Sequence, residues 1–354
     1  MPYYAKGAPF RYEGAINVED CITSKQVMEE SGLDFTVEKC RLFAEMSCKF
    51  IDSTIPSKPD TFDVINSKGI TKQYGVVDNA YGIYRTDYNI PLGLVKERYE
   101  PVQNIDAFKF FDDAIGENRA IWQTAGFFGR GERIFVSAKL PDDILVHGDK
   151  VDSYLVFTNS HDGSTGVKIL FTPIRVICQN TLNAAIRTST NYISFRHTKN
   201  VHSNINMASE ILGICKKQAD ALNEYYNLLF KTRVTDKNAI DVFGNIVLTA
   251  EELAKIKNTG HTVKEVADHL WFALNDAEIS TQKANVLSGM VDYYNMGIGQ
   301  KEIIGTGWGV YNAVSGYYSN VDNNEGQKRM DTLLYGDRAN KIAKVPELIL
   351  ARAA

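Results

Sequence analysis

Ser160, His161 and Asp162 stand together in the string SHDGS, and serine, histidine and aspartate are the parts of a hydrolytic relay. Such a relay needs three side chains converging from separate places, whereas consecutive residues at a strand end point in different directions. The spacing therefore predicts a turn with a polar tip. Cys178, with a nearby histidine, is a second candidate nucleophile. It falls among Ile174, Ile177, Leu182, Ala185 and Ile186, which recur at helical intervals, and a cysteine on an apolar face acts as a small buried hydrophobe. The six histidines (147, 161, 197, 202, 261 and 269) form no HExxH, and no Cys/His set has zinc-like spacing. Gly305-Thr306-Gly307-Trp308-Gly309 lacks the Lys-Ser/Thr of a phosphate loop and reads as a glycine-rich turn seating Trp308 at a helix start. No catalytic residue, metal or cofactor is assigned, and the expectation is a protein that is not an enzyme and hydrolyses no nucleotide.

The remaining chemistry is cationic. From Gly163 to Ser209 there is no Asp or Glu, while Lys168, Arg175, Arg187, Arg196 and Lys199 are present beside His197 and His202. That window carries +5 in a chain whose formal net charge is −4, which leaves −9 for the rest. Upstream, Arg130 and Arg133 flank the bend in GFFGRGER, just after Phe127 and Phe128. Downstream, Tyr192, Phe195, Arg196, His197 and Lys199 mix aromatics with cations in NYISFRHTKN. Cations that track phosphates and aromatics that stack on bases are what holds single-stranded nucleic acid. The alternative is a core strand with Tyr192 and Phe195 inward and Arg196 and Lys199 solvated.

Elements that would position these residues follow from periodicity. Thr23 to Ser31 reads as a short helix capped by Ser24 and stopped at Gly32. Lys68 to Leu94 is rich in Tyr, Val, Ile and Gly, as strands and turns are, and Val102 to Gly116 has the intervals of a helix. Strands are expected at Ile134 to Leu140, Ser153 to Thr158 and Thr165 to Phe171, the last two joined by a hairpin at His161-Asp162-Gly163-Ser164. Thr172 then caps an expected helix with Pro173 at its first position. On that helix Arg175, Gln179, Asn183 and Arg187, spaced by four, form a polar ridge with a cation at each end. Beyond Ile205 the pattern is helical: Asn206 to Lys231, capping boxes at Thr249/Glu252 and Thr262/Glu265, and segments at Gln282 to Tyr294, Trp308 to Tyr318 and Gln327 to Tyr335. The fold class is thus α+β. An antiparallel β-rich core ends in a β-β-β-α module and precedes a mainly helical C-terminal part, with the boundary placed between 1–204 and 205–354.

The chain of 354 residues is 44% hydrophobic and 23% charged, which excludes a globally disordered or fibrous protein. No apolar run approaches the roughly 18 to 20 residues of a membrane span, and Met1 to Arg11 lacks a signal core. Five cysteines, an odd number without a CxxC pair, fit a reducing cytoplasm.

The strings YRTDYNIPLGLVKERYEPVQN (84–104), TAGFFGRGERIFVSAKLP (124–141), YLVFTNSHDGSTGVKILFTPIRVICQNTLNAAI (154–186) and GTGWGVYNAVSGYY (305–318) resemble the phage- and plasmid-borne proteins grouped as domain of unknown function 932. The likeness runs from about Pro9 to Gly336. It departs at Pro9-Phe10-Arg11, where the family pattern leads one to expect a Pro-Trp-His type motif. The resemblance implies a mobile-element origin, the cytoplasm of a bacterial host, and a setting beside recombination and replication genes. By analogy with single-strand annealing proteins it implies a core with a basic groove. It carries no catalytic residues. The expected function is single-stranded DNA binding, with strand annealing by a homo-oligomer, in phage or plasmid recombination. Its site would be Arg130, Arg133, Lys168, Arg175, Gln179, Asn183, Arg187, Tyr192, Phe195, Arg196 and Lys199. Tyr293, Tyr294, Tyr311, Tyr317 and Tyr318 are candidate contacts between copies. The alternative function is a protein-binding inhibitor of a host defence system working through the acidic remainder, its partner a phage or host recombination or defence protein.

Overall fold

The computed structural model describes residues 15–46, 61–115, 121–140, 143–175, 180–181, 192–206, 209–322, 326–334 and 336–353. Its first part is β1 (Ala15–Asn17), α1 (Ser24–Ser31), β2 (Val37–Met46), β3 (Thr61–Ile65), β4 (Thr71–Arg85), β5 (Ile90–Val95), α2 (Asn104–Ile115), β6 (Ile121–Phe128), β7 (Arg133–Lys139), β8 (Ile144–Val146), β9 (Asp149–Ser160), β10 (Val167–Arg175), β11 (Asn180–Thr181) and β12 (Tyr192–Phe195). The described elements after it are helical: α3 (Val201–Asn206), α4 (Ser209–Lys231), α5 (Asp236–Val247), α6 (Ala250–Asn258), α7 (Val263–Asp268), a π-helical turn (Phe272–Asp276), α8 (Thr281–Met296), α9 (Gly307–Gly316), a second π-helical turn (Tyr317–Val321), α10 (Gly326–Leu334) and α11 (Asp337–Ala353). This is the expected α+β order, with antiparallel sheets first and helices after. No described helix is long and apolar enough to cross a membrane.

Local chemistry sets several boundaries. The capping boxes at Thr249/Glu252 and Thr262/Glu265 both form, as read from the sequence. At α1 the cap is Thr23 rather than Ser24, because Gln26 reaches back to the Thr23 N–H to close the box, and Gly32 ends the helix in the left-handed region. Thr306 caps α9, seating a fully buried Trp308 whose Nε1 donates to Asp149 at 2.9 Å.

The larger sheet runs β1-β6-β7-β9-β10, with β11 and β12 both on the far side of β10 and β8 on β9, all antiparallel. The smaller runs β2-β4-β3, with β5 also on β4. The expected hairpin about His161 is present, with Lys168 opposite Thr158 and Arg175 opposite Val151. The expected helix from Thr172 is not. Thr172, Pro173, Ile174 and Arg175 continue β10, and β11 then pairs back against it, Ile174 opposite Thr181 and Arg175 opposite Asn180. Arg175 therefore stands in a strand rather than at the start of a helical ridge, and Gln179, Asn183 and Arg187, the rest of that expected ridge, lie outside the described residues.

Alternation along the strands separates two faces. Ile134, Val136, Ala138, Leu155, Phe157, Val167, Ile169 and Phe171 enter the main core, where Phe108 and Phe111 of α2 pack on Trp122 with centroids 5.6 and 5.4 Å apart. That core is one cluster from Val18 to Ile349, so the change from strands to helices near residue 204 leaves the core unbroken. Tyr293, Tyr294, Tyr311, Tyr317 and Tyr318 are all buried in the monomer and unavailable as contacts between copies. The opposite face holds a second cluster, Phe128, Phe135, Val156 and Leu170, under Met330 and Leu334 of α10.

Candidate nucleic-acid interface

Strand register gathers part of the cationic set at one end of the larger sheet. Arg133 opens β7 opposite Ser160, the last residue of β9, and Val167 opens β10 opposite Phe195, the last of β12. The β6–β7 turn, the β9–β10 turn and the chain leaving β12 therefore lie side by side. They bring Arg130, Arg133, Lys168, Arg196 and Lys199 to a common rim. Gly131 makes the first turn: its φ of 118° suits only glycine, and a Cβ there would meet Phe35 Cζ at 2.9 Å.

These cations differ in accessibility. Arg196 and Lys199 are exposed. Arg130 is exposed and pairs with Glu132, Nε to Oε1 3.0 Å. Burial pushes the Glu132 carboxyl up, but hydrogen bonds from its own and the Arg130 backbone N–H and from the Arg130 guanidinium outweigh this and hold it below its ordinary value. Arg133 is largely covered; its Nη1 pairs with Asp331 of α10 and its Nε donates to Ser164 Oγ at 3.2 Å. Burial lowers the Lys168 ammonium and Arg133 adds to this, while the Asp331 carboxylate opposes it.

A fourth loop joins this rim, and the sequence reading missed it. Arg85, 7% exposed, lies 3.8 Å from the Phe35 ring centroid, pairs with Asp87 (Nη2 to Oδ2 2.7 Å) and donates from Nη1 to the Arg130 carbonyl at 2.7 Å. The β4–β5 turn is thereby fastened to the β6–β7 turn, and it carries Tyr88, 72% exposed, with its ring 5.7 Å from Arg85 Cζ. The available signal was an arginine two residues before an aspartate in YRTDYN, a fork-to-carboxylate pair within a hairpin turn.

Ser160, His161 and Asp162 do not converge, as their spacing implied. Ser160 Oγ donates to the Thr165 carbonyl, Asp162 Oδ1 accepts from Ser164, and His161 turns inward to complete burial. Asn104 donates from Nδ2 to the carbonyls of Leu33 and Phe35, which leaves its Oδ1 to accept from His161 Nε2 at 2.8 Å. Burial is the main cause that pushes His161 down to about 3, with smaller contributions from His197 and Arg85 against Asp162. His197, also buried, stacks on Tyr99 at 4.5 Å and is lowered by the same cause.

The other expected residues fall elsewhere. Phe195 is half-buried against the main core, in agreement with the core-strand alternative, in which it points inward. Tyr192 opens β12 opposite Leu170. Arg175 ends β10 seven residues beyond Lys168, about 23 Å along the strand and away from the rim. Gln179, Asn183, Arg187 and Cys178 lie outside the described residues. Among the described residues no group of three or more His, Cys, Asp or Glu is placed to hold a metal ion.

Compared with known families, residues 91–344 match the family model described as Domain of unknown function (DUF932). Neither the curated proteins nor the solved structures contain one that matches the chain.

Proposed function

The chain belongs to the family grouped as domain of unknown function 932, and from that premise we propose that it binds single-stranded DNA at the rim of its larger sheet, in phage or plasmid recombination within the host cytoplasm. The observation that supports this reading is an exposed aromatic, Tyr88, on a turn that Arg85 fastens to the one carrying the exposed Arg130, at the end of the sheet where Arg196 and Lys199 are also exposed. A cation row with a stacking ring beside it suits a strand whose bases are unpaired. Annealing requires a longer strand than one such site covers, and hence several copies.

The test is binding of labelled single-stranded and duplex DNA as salt is varied. Three phosphates neutralised by Arg130, Arg196 and Lys199 give a log-log slope of about −2 at roughly 0.7 per contact. Arg196→Glu with Lys199→Glu should weaken binding to every sequence without unfolding the chain, since both residues are exposed. No binding at about 50 mM salt rejects the reading.

One observation favours the second function, attachment to a protein partner. Phe43, Phe62, Val64 and Ile65 are exposed on the smaller sheet and Ile70 in its β3–β4 turn, and the Phe43 and Phe62 rings meet edge to face at 4.8 Å. Solvent-facing apolar clusters mark interaction surfaces. Phe62→Ser that spares DNA binding but abolishes a partner's capture would separate the two functions.

A further inference from the structure

The covered face of the larger sheet has the composition of the interface just described. Phe128, Phe135, Val156 and Leu170 come one each from β6, β7, β9 and β10, and the rings of Phe128 and Phe135 lie 5.9 Å apart. Arg133 and Lys168 share this face, since Arg133 is two residues before Phe135 and Lys168 two before Leu170. Aromatics flanked by an arginine and a lysine form a stacking platform with phosphate ligands at its edge.

Among the described residues, the cover outside the sheet is α10. Met330 and Leu334, one helical turn apart, lie on the apolar cluster, and between them Asp331 pairs with Arg133 and bears on Lys168. Leu333, the residue before Leu334, enters the main core instead. The helix has nine residues, too few to hold its form without this packing. A guanidinium fork receives a carboxylate and a phosphate in the same geometry.

We propose that α10 is a built-in stand-in for the nucleic acid, its Asp331 carboxylate in the place of a phosphate on Arg133 and Lys168 and its Met330 and Leu334 in the place of bases on Phe128 and Phe135, and that a single strand occupies this face by displacing the helix. The proposal rests on the single-strand reading of the rim and adds how that site is closed at rest. A duplex, whose bases are already stacked, has nothing to offer the uncovered rings, so opening of α10 favours single strands.

The experiment uses the full chain and a fluorescein-labelled oligothymidylate of about 16 nucleotides. Displacement adds Arg133 and Lys168 to the contacts and steepens the salt slope from about −2 to about −3.5. Hydrogen exchange of the α10 amides should rise when the oligonucleotide saturates the protein, while β7 and β10 keep their protection. Asp331→Asn, which removes the carboxylate and keeps its shape, should tighten binding by roughly 5- to 10-fold, the low end of the usual coupling between two sites. A slope near −2, with α10 still protected at saturation and Asp331→Asn binding as the parent does, overturns the displacement and leaves single-strand binding at the rim intact. Absence of binding by both proteins removes the single-strand reading, and this proposal with it. Should Asp331→Asn fail to fold, the exchange of α10 in the parent protein decides alone.

Discussion

At the scale of single residues, His161 shows how a string that suggests chemistry serves structure. Its ring is fully buried and Asn104 fixes its orientation, so the folded protein holds it neutral, with its proton affinity pushed down to about 3. Unfolded, the same imidazole titrates near 6.5. Below that value the unfolded chain binds a proton that the folded one refuses, and stability must fall as pH falls. The contribution is fully present above about pH 6.5; by pH 5 it has lost about 2 kcal/mol. His197, buried and lowered in the same direction, adds to the loss. Urea unfolding at pH 7 and pH 5 measures it, and His161→Gln should flatten the dependence. An equal midpoint at the two pH values in the parent protein would show that the ring is accessible to protons when folded.

At the scale of elements, turns decide where the cations meet. Gly131 holds the β6–β7 turn at a φ of 118° with Phe35 and the Arg85 side chain pressed against it. Gly131→Ala must strain the backbone and push back a ring, at a cost of about 2 kcal/mol or more. It should also weaken single-strand binding by moving Arg130. Gly148→Ala, at a φ of 86° but with no atom within 4 Å, incurs the backbone strain alone, about 1 kcal/mol. Equal losses at both sites, read by thermal unfolding, would show that the contact with Phe35 does not matter.

The same scale marks what the sequence allowed one to read. Thr249/Glu252, Thr262/Glu265 and Thr306-Gly307-Trp308 are local signals, complete within one turn, and each forms as read. Thr172-Pro173 looked equally local but depends on distant partners. Among the described residues, β12 pairs β10 only as far as Leu170 and β11 only from Ile174, which leaves a gap in the described pairing on that side across 171–173, where a proline is admitted. Val167 to Phe171 already had β9 to pair with, and cross-strand contacts outweighed a helical period that ran on from Ile174. The rim was half legible for the same reason. Arg130, Arg133, Lys168, Arg196 and Lys199 were found by composition, whereas Arg85 and Tyr88 reach it through a hairpin whose docking no local pattern encodes.

For the whole molecule, the question is whether strands and helices are two bodies or one. The change of pattern near residue 204 invites a division, but the buried cluster crosses it. Trp308 of α9 donates to Asp149 of β9, Arg133 of β7 pairs with Asp331 of α10, and the ring of Tyr226 in α4 lies 4.9 Å from that of Trp308, in the same cluster as Trp122 and Phe157. Cutting at 204 would expose both sides of this core. Burying a single large side chain is worth about 1.5 to 3 kcal/mol, and a domain's whole margin is only about 5 to 15 kcal/mol. Loss of the helical cover from even a few such residues consumes that margin. A fragment of residues 1–204 made alone should therefore lack the dispersed amide and methyl NMR shifts of a packed core, and a fragment of 205–354 should do no better. Mixing the two should restore a cooperative thermal transition if the chains are kept soluble. A 1–204 fragment that folds by itself and binds single strands with the parent's affinity would make the strand-rich part an independent module, and α10 would then have no part in closing its site.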